Sequence, residues 1–231
     1  RPSIPIMSAN ERVKGVPNPG RESVFDVTRY AVAAESIVEA GCFLYQRGRS
    51  PATSSNYSAR IDGEHIAITV SGRHKGHLGA GDVMVVDLAG RPVQSNCRSS
   101  AETRLHTVLY EFFPDVGAVL HTHSVKATVL SRLLTPGQPL ELEGYELQKA
   151  FAGVETHESV LTVPVFDNTQ DIDALAQETR DWFRANPEQP GYLIRGHGLY
   201  TWGKTMTDCL RHVEAFEFLF ECELETMKVR P

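Results

Sequence analysis

The chain has 231 residues, 41% of them apolar and 23% charged, with a net charge of −6. That composition suits a globular protein with a sizeable core. The acidic balance excludes a basic nucleic-acid surface, and no apolar run approaches the roughly 20 residues of a membrane span; neither nucleic acid nor membrane is an expected partner. The four cysteines, Cys42, Cys97, Cys209 and Cys222, form no CxxC pair and no disulfide framework. A reducing cytoplasm is the expected setting. Cys42, Cys209 and Cys222 fall in helical patterns and read as buried thiols.

Residues 1–22 read as a flexible leader: Arg1 to Pro19 is rich in Pro, Asn and charge and lacks an apolar stretch of signal-peptide length. The remainder, 23–231, reads as one domain. Ser23 is the expected N-cap of a helix to Ala40, with Val24, Val27, Ala31, Ala34, Ile37 and Val38 on one face and Gly41 as its stop. Ser50 to Ser58 is a loop of small polar residues. Strands are expected over His65–Val70 and Asp82–Leu88, joined by the turn Ser71 to Gly76. A helix over Ser100–Phe113 precedes the strand ending at His121, and another covers Ser124–Leu134. Glu143–Phe151 reads as a short helix and Leu161–Val165 as a strand with Pro164 near an edge or end. A helix over Asp171–Ala185, two strands flanking His197 and a last helix over Thr205–Met227 complete the chain, the last with Leu210, Val213, Phe216, Phe220, Leu224 and Met227 on one stripe. Interleaved strands and helices argue one α/β domain.

Two histidine motifs carry the chemistry. In Val119-Leu120-His121-Thr122-His123 strand alternation puts both imidazoles on one face. In Ile194-Arg195-Gly196-His197-Gly198 the glycines let the His backbone approach a ligand without bulk. Three neutral imidazoles with an open fourth position form the ligand set of a catalytic zinc rather than a structural one. On spacing alone, three separate strand-end histidines remain the alternative. His106 and His212 read as helix residues near the core or an interface, and Tyr200 and Trp202 as packing residues.

These motifs, together with Thr53 to Ser58, Thr69 to Gly72 with Lys75, Ser100 to Thr103, Glu143 to Lys149 and Arg195 to Gly203, resemble the class II aldolase and adducin-head family from about Ser23 to Met227. The resemblance implies a single-domain three-layer α/β/α fold around a central, mostly antiparallel sheet. It implies one Zn2+ per subunit held by His121, His123 and His197, a phosphorylated ketose as substrate, and a homotetramer with active sites near subunit boundaries. Phosphate-binding positions of the family match Thr53, Asn56, Ser71 and Gly72. Ser54, Ser55 and Ser58 supply further hydroxyls, and Lys75 a positive charge, although a lone Lys reads by itself as a surface residue. An ordinary polar turn is the alternative for the Ser-rich loop.

Within the family the Glu146 and Arg195–Gly203 segments resemble lyases that eliminate water from a ketose 1-phosphate. A Lewis acid acidifies the C3 proton and stabilises the enediolate left behind; loss of the C4 hydroxyl then gives dehydration, whereas C3–C4 cleavage gives the aldolase reaction. Glu146 matches the dehydratases' acid/base, with a solvated helix face as its alternative. Glu102 matches the aldolases' metal-proximal acid/base, with a favourable helix-terminus charge as its alternative. A zinc aldolase or epimerase is therefore the competing enzyme, and a non-catalytic module like the adducin head the competing class.

Overall fold

A computed structural model describes residues 24–229; the leader assigned to 1–22, and Ser23, lie outside the described residues. Helix α1 (Val27–Gln46) begins at Asp26, whose carboxylate accepts from the Thr28 and Arg29 amides. Such a cap is worth about 1 kcal/mol. Its buried face is Tyr30, Ala33, Ala34, Ile37, Ala40, Gly41 and Leu44, while Val24 and Val27 are exposed. Gly41 does not stop the helix. It sits where α1 crosses the Lys75 backbone so closely that a Cβ would lie 2.5 Å from the Lys75 carbonyl oxygen.

The strands are β1 (Asn56–Arg60), β2 (His65–Thr69), β3 (Val83–Asp87), β4 (Ala118–Thr122), β5 (Leu140–Leu142), β6 (Leu161–Val163), β7 (Val165–Phe166), β8 (Gly191–Ile194) and β9 (Gly198–Gly203). One sheet runs β3-β2-β1-β4-β9-β8-β7, antiparallel except for the β7–β8 pair. β1 begins inside what reads as a polar loop, over Asn56 to Ser58, and runs past its end. Tyr57 and Ala59 decide it, because both are buried in the core and their burial outweighs the loop-like composition of their neighbours. The expected strand at 161–165 divides at Pro164, which has no N–H to continue a ladder. β6 pairs with β5 in a separate two-stranded sheet, while β7 joins the main one.

Helices α2 (Thr103–Phe112) and α4 (Ile172–Ala185) cover one face of the sheet, through Leu105, Val108, Leu109, Leu175 and Phe183 against Ile66, Ile68, Val119 and Tyr192. Helices α1, α3 (Val125–Leu133) and α5 (Met206–Val229) cover the other, where Ile37, Leu44, Val213, Phe216 and Phe220 pack. This is a three-layer α/β/α sandwich. Two further expectations change. Glu146–Ala150 is a single 3₁₀ turn rather than an α-helix. Of the thiols read as buried, only Cys209 is; Cys42 is exposed and Cys222 half-buried, because both lie off the core-facing stripe of their helices. Among the described residues no helix is long and apolar enough to cross a membrane.

Candidate active site

Strand register builds the site. Asn56 on β1 faces His121 on β4, His121 faces Tyr200 on β9, and Tyr200 faces Tyr192 on β8. One row of side chains therefore crosses four strands on the α2 side of the sheet. The His121 and Tyr200 rings stack at 4.0 Å, and Tyr200 and Tyr192 at 4.9 Å. His121 is fully buried. Its Nδ1–H donates to the Leu199 carbonyl at 3.0 Å, and since a carbonyl only accepts, Nε2 keeps its lone pair for a ligand.

His123 follows the end of β4, where its amide donates to the Arg49 carbonyl at 2.8 Å. Behind that carbonyl, Arg49 pairs with the buried Glu217 at 2.9 Å. Burial pushes the Glu217 carboxyl above the usual carboxylate range. His197 occupies the β8–β9 turn. Gly196 there has φ +65°, a left-handed conformation glycine adopts without strain. At Gly198 a Cβ would fall 2.0 Å from the Thr122 carbonyl oxygen, so only glycine lets β9 close on β4. Helix α3 clamps this turn. Arg195 Nη1 donates to the Ser131 and Leu134 carbonyls, each at 2.7 Å, and the Gly196 amide donates to Ser131 Oγ at 2.9 Å.

The three imidazoles converge, with ring centroids 4.6–4.9 Å apart and one nitrogen from each within 4.8 Å of the others. The His121 Nε2 to His197 Nε2 distance is 3.3 Å. A tetrahedral zinc with nitrogen ligands at about 2.0–2.1 Å requires an edge of roughly 3.3–3.4 Å. Burial, followed by the charges of His123 and His197, holds the His121 imidazole well below the usual range. Burial, followed by His197 and Lys75, takes His123 down to about 4. Neutral imidazoles are what a metal needs, so the donor set fits a zinc-type cation.

Glu102 joins this cluster and Glu146 does not. Glu102 is the N-cap residue of α2, but its carboxylate leaves the helix amides uncapped. Instead it lies 3.2 Å from His197 Nε2 and 3.5 Å from His121 Nε2, accepting from Asn56 Nδ2 at 2.7 Å and the Tyr200 hydroxyl at 3.1 Å. Glu146 is 74% exposed and paired with Lys149 at 2.6 Å and His157 at 3.8 Å, outside the cleft of its own chain. Lys149 holds its carboxyl below the usual carboxylate range.

A cleft of about 230 Å³ opens onto the imidazoles. Thr53, Ser54, Ser55, Asn56, Ser71, Gly72 and Lys75 line it with Ser100, Glu102, His123 and His197. The two loops expected to hold phosphate thus meet over the histidines. Ser58 does not belong with them. It is fully buried: it shares the face of Asn56 but lies two residues further along β1, under α2, and its hydroxyl pairs with His106 Nδ1 at 2.7 Å and the Tyr110 hydroxyl at 2.9 Å. Lys75 is no surface lysine. Only 2% exposed, it donates from Nζ to the Thr53 and Arg73 carbonyls, and burial, partly offset by Asp82, lowers its ammonium to about 8. His106, Tyr200 and Arg195 join the site without a motif of their own in the sequence. The i, i+4 spacing of Glu102 and His106 on one helix is the one local signal of the first.

Residues 35–224 match the class II aldolase and adducin N-terminal domain. The chain is 82% identical over 207 residues to the methylthioribulose-1-phosphate dehydratase of Marinobacter nauticus, covering 90% of this chain and 100% of that protein. It is 62% identical over 207 residues to the protein of the same name from Hahella chejuensis, again covering 90% and 100%. The crystal structure of L-fuculose-1-phosphate aldolase from Thermus thermophilus superposes with a TM-score of 0.66 at 22% identity, covering 88% of this chain and 98% of that one; at that identity the likeness concerns the fold alone.

Proposed function

Because the chain belongs to the class II aldolase and adducin N-terminal domain family, we propose that it is a metal-dependent lyase dehydrating 5-methylthioribulose 1-phosphate to 5-methylthio-2,3-dioxopentyl 1-phosphate, a step of methionine salvage. The observation that carries this reading is 82% identity over the whole length of a relative named for that reaction.

A zinc held by His121, His123 and His197 would act as the Lewis acid that polarises the C2 carbonyl and acidifies the C3 proton. This chain's own residues supply the rest. Thr53, Ser54, Ser55, Ser71 and Gly72 present small polar groups to the phosphate, with the Lys75 ammonium behind them. Binding energy from that remote group orients the reacting carbons. Glu102 holds a carboxylate beside the histidines, where the proton leaving C3 would be received. Glu146 gives a second proton, its own, to the departing C4 hydroxyl across a subunit boundary of a homotetramer and recovers one from the enol hydroxyl, while Glu102 passes the C3 proton on to C4 as the enol becomes the diketone. The exposure of Glu146 in one chain supports this, as does an apolar face beside the site: Val125, Val129 and Leu133 on α3 are 77%, 40% and 61% exposed, next to Phe218 on α5. The setting is the cytoplasm.

Glu102 among the histidines favours a second reading, a sugar-phosphate aldolase or epimerase. Metal-dependent function is tested by assaying His197→Ala beside wild type after metal analysis. The reading expects near-stoichiometric zinc in wild type and loss of both zinc and activity in the variant; full activity without metal would overturn it.

A further inference from the structure

Behind Glu102 a chain of hydrogen bonds runs into the core, and donor–acceptor logic orients every link. A carboxylate only accepts. Asn56, whose side-chain nitrogen lies 2.7 Å from Glu102 Oε2, must therefore present its NH2 group there. Its carbonyl Oδ1 then faces His106 Nε2, with which it bonds. An amide oxygen also only accepts, so the proton on that imidazole resides on Nε2. His106 Nδ1 is left as an acceptor, and Ser58 Oγ at 2.7 Å must donate to it. The Ser58 oxygen in turn accepts from the Tyr110 hydroxyl at 2.9 Å.

The path is Tyr110 to Ser58 to His106 to Asn56 to Glu102, with Tyr200 donating separately to the same carboxylate oxygen. It uses both ring nitrogens of a fully buried histidine. A buried imidazole with both nitrogens satisfied in one direction has one tautomer and one orientation available, since reversing it would leave two buried polar atoms unpaired. Burial also holds the His106 imidazole down to about 3, neutral across any working pH.

Asn56 is fixed at both ends. Glu102, which leaves its own helix uncapped, is held by Asn56 and Tyr200 with its second oxygen turned to His197.

We propose that His106 is a positioning residue: through its Nε2–H it fixes the Asn56 amide, and Asn56 fixes the Glu102 carboxylate beside the three histidines. His106 touches neither substrate nor metal. Asn56 is thereby a member of this chain first and a phosphate contact second. The kinetic part of the test rests on the dehydratase reading, and the spectroscopic part does not.

Glutamine and asparagine separate the two ring nitrogens. In His106→Gln the amide NH2 takes the place of Nε2–H and can still donate to Asn56. In His106→Asn the side chain reaches only the Nδ1 position and can satisfy Ser58 alone. Zinc-loaded H106Q is expected to keep kcat within the same order of magnitude as wild type. H106N should lose about 10- to 100-fold in kcat, the usual cost of removing an outer-shell support, with KM and zinc content unchanged. Equal kcat losses in the two variants, or greater loss in H106Q, would reduce His106 to core packing and overturn the proposal.

Long-range 1H–15N correlation spectra of histidine-labelled wild type, with His106 assigned by its absence in either variant, read the tautomer directly. The Nε2–H form is expected, and the Nδ1–H form would contradict the chain whatever the kinetics. Wild type that fails to dehydrate the ketose overturns the dehydratase reading instead, and the tautomer still decides the positioning role.

Discussion

Tyr200 stacks on His121 at 4.0 Å and donates a hydrogen bond from its hydroxyl to Glu102 at 3.1 Å. One side chain thereby braces a candidate metal ligand with its ring and the neighbouring carboxylate with its oxygen. The β4–β9 register, which sets Tyr200 opposite His121, makes both contacts possible. Tyr200→Phe keeps the stack and removes only the donor. Zinc content should hold, and kcat should fall about tenfold, at the lower end of outer-shell effects. Metal analysis and steady-state kinetics on one preparation check this; an unchanged kcat would make Tyr200 a packing residue only.

Ser71 and Asn56 both line the cleft but are expected to fail differently. Ser71 has its side chain at the loop, so Ser71→Ala should raise KM for the phosphorylated ketose and leave kcat nearly intact. Asn56 is already engaged by Glu102 and His106, so Asn56→Ala should lower kcat more than it raises KM. Separate kcat and KM values for both variants check the distinction.

Lys75 gives the site a pH dependence. Burial lowers its ammonium from 10.5 to about 8. Between those values the unfolded chain keeps the proton and the folded chain has lost it, so stability rises with pH through this window. The charge offered to phosphate falls over the same range. KM should therefore rise as pH passes about 8, and Lys75→Met should have a higher KM at neutral pH with that rise flattened. A pH profile of kcat/KM for both proteins checks it.

Much of this site was legible because its signals are local. His121 and His123 follow from strand alternation, and His197 from flanking glycines whose geometry forbids a side chain. The loops at Thr53–Asn56 and Ser71–Gly72 were legible as small polar turns. What stayed hidden depends on register. Ser58 looks like its loop neighbours until β1 forms and turns it inward. Lys75 looks like any surface lysine until Gly41 lets α1 close over its backbone. The His106–Asn56 contact joins residues 50 apart in sequence, and no periodicity in either segment announces it. The helix expected at Glu143–Phe151 carried a helical composition, yet it forms only one 3₁₀ turn at Glu146–Ala150.

The proposed reaction divides its proton transfers between the two carboxylates. Glu146→Gln should lower dehydration by about 10²–10⁴-fold, the range of general acid/base catalysis, with zinc retained. Mixing Glu146→Gln subunits with His197→Ala subunits should restore part of the activity, because an intact site then forms wherever one chain's histidines meet the other chain's Glu146. Mixed assemblies no better than either variant alone would return the proton transfer to Glu102 of the same chain.

The most direct measurement is of product. Zinc-loaded protein incubated with 5-methylthioribulose 1-phosphate should form the 2,3-diketone with all five backbone carbons retained and one water lost. Cleavage between C3 and C4, yielding dihydroxyacetone phosphate and a methylthio-aldehyde, would contradict dehydration and make the same histidine site an aldolase.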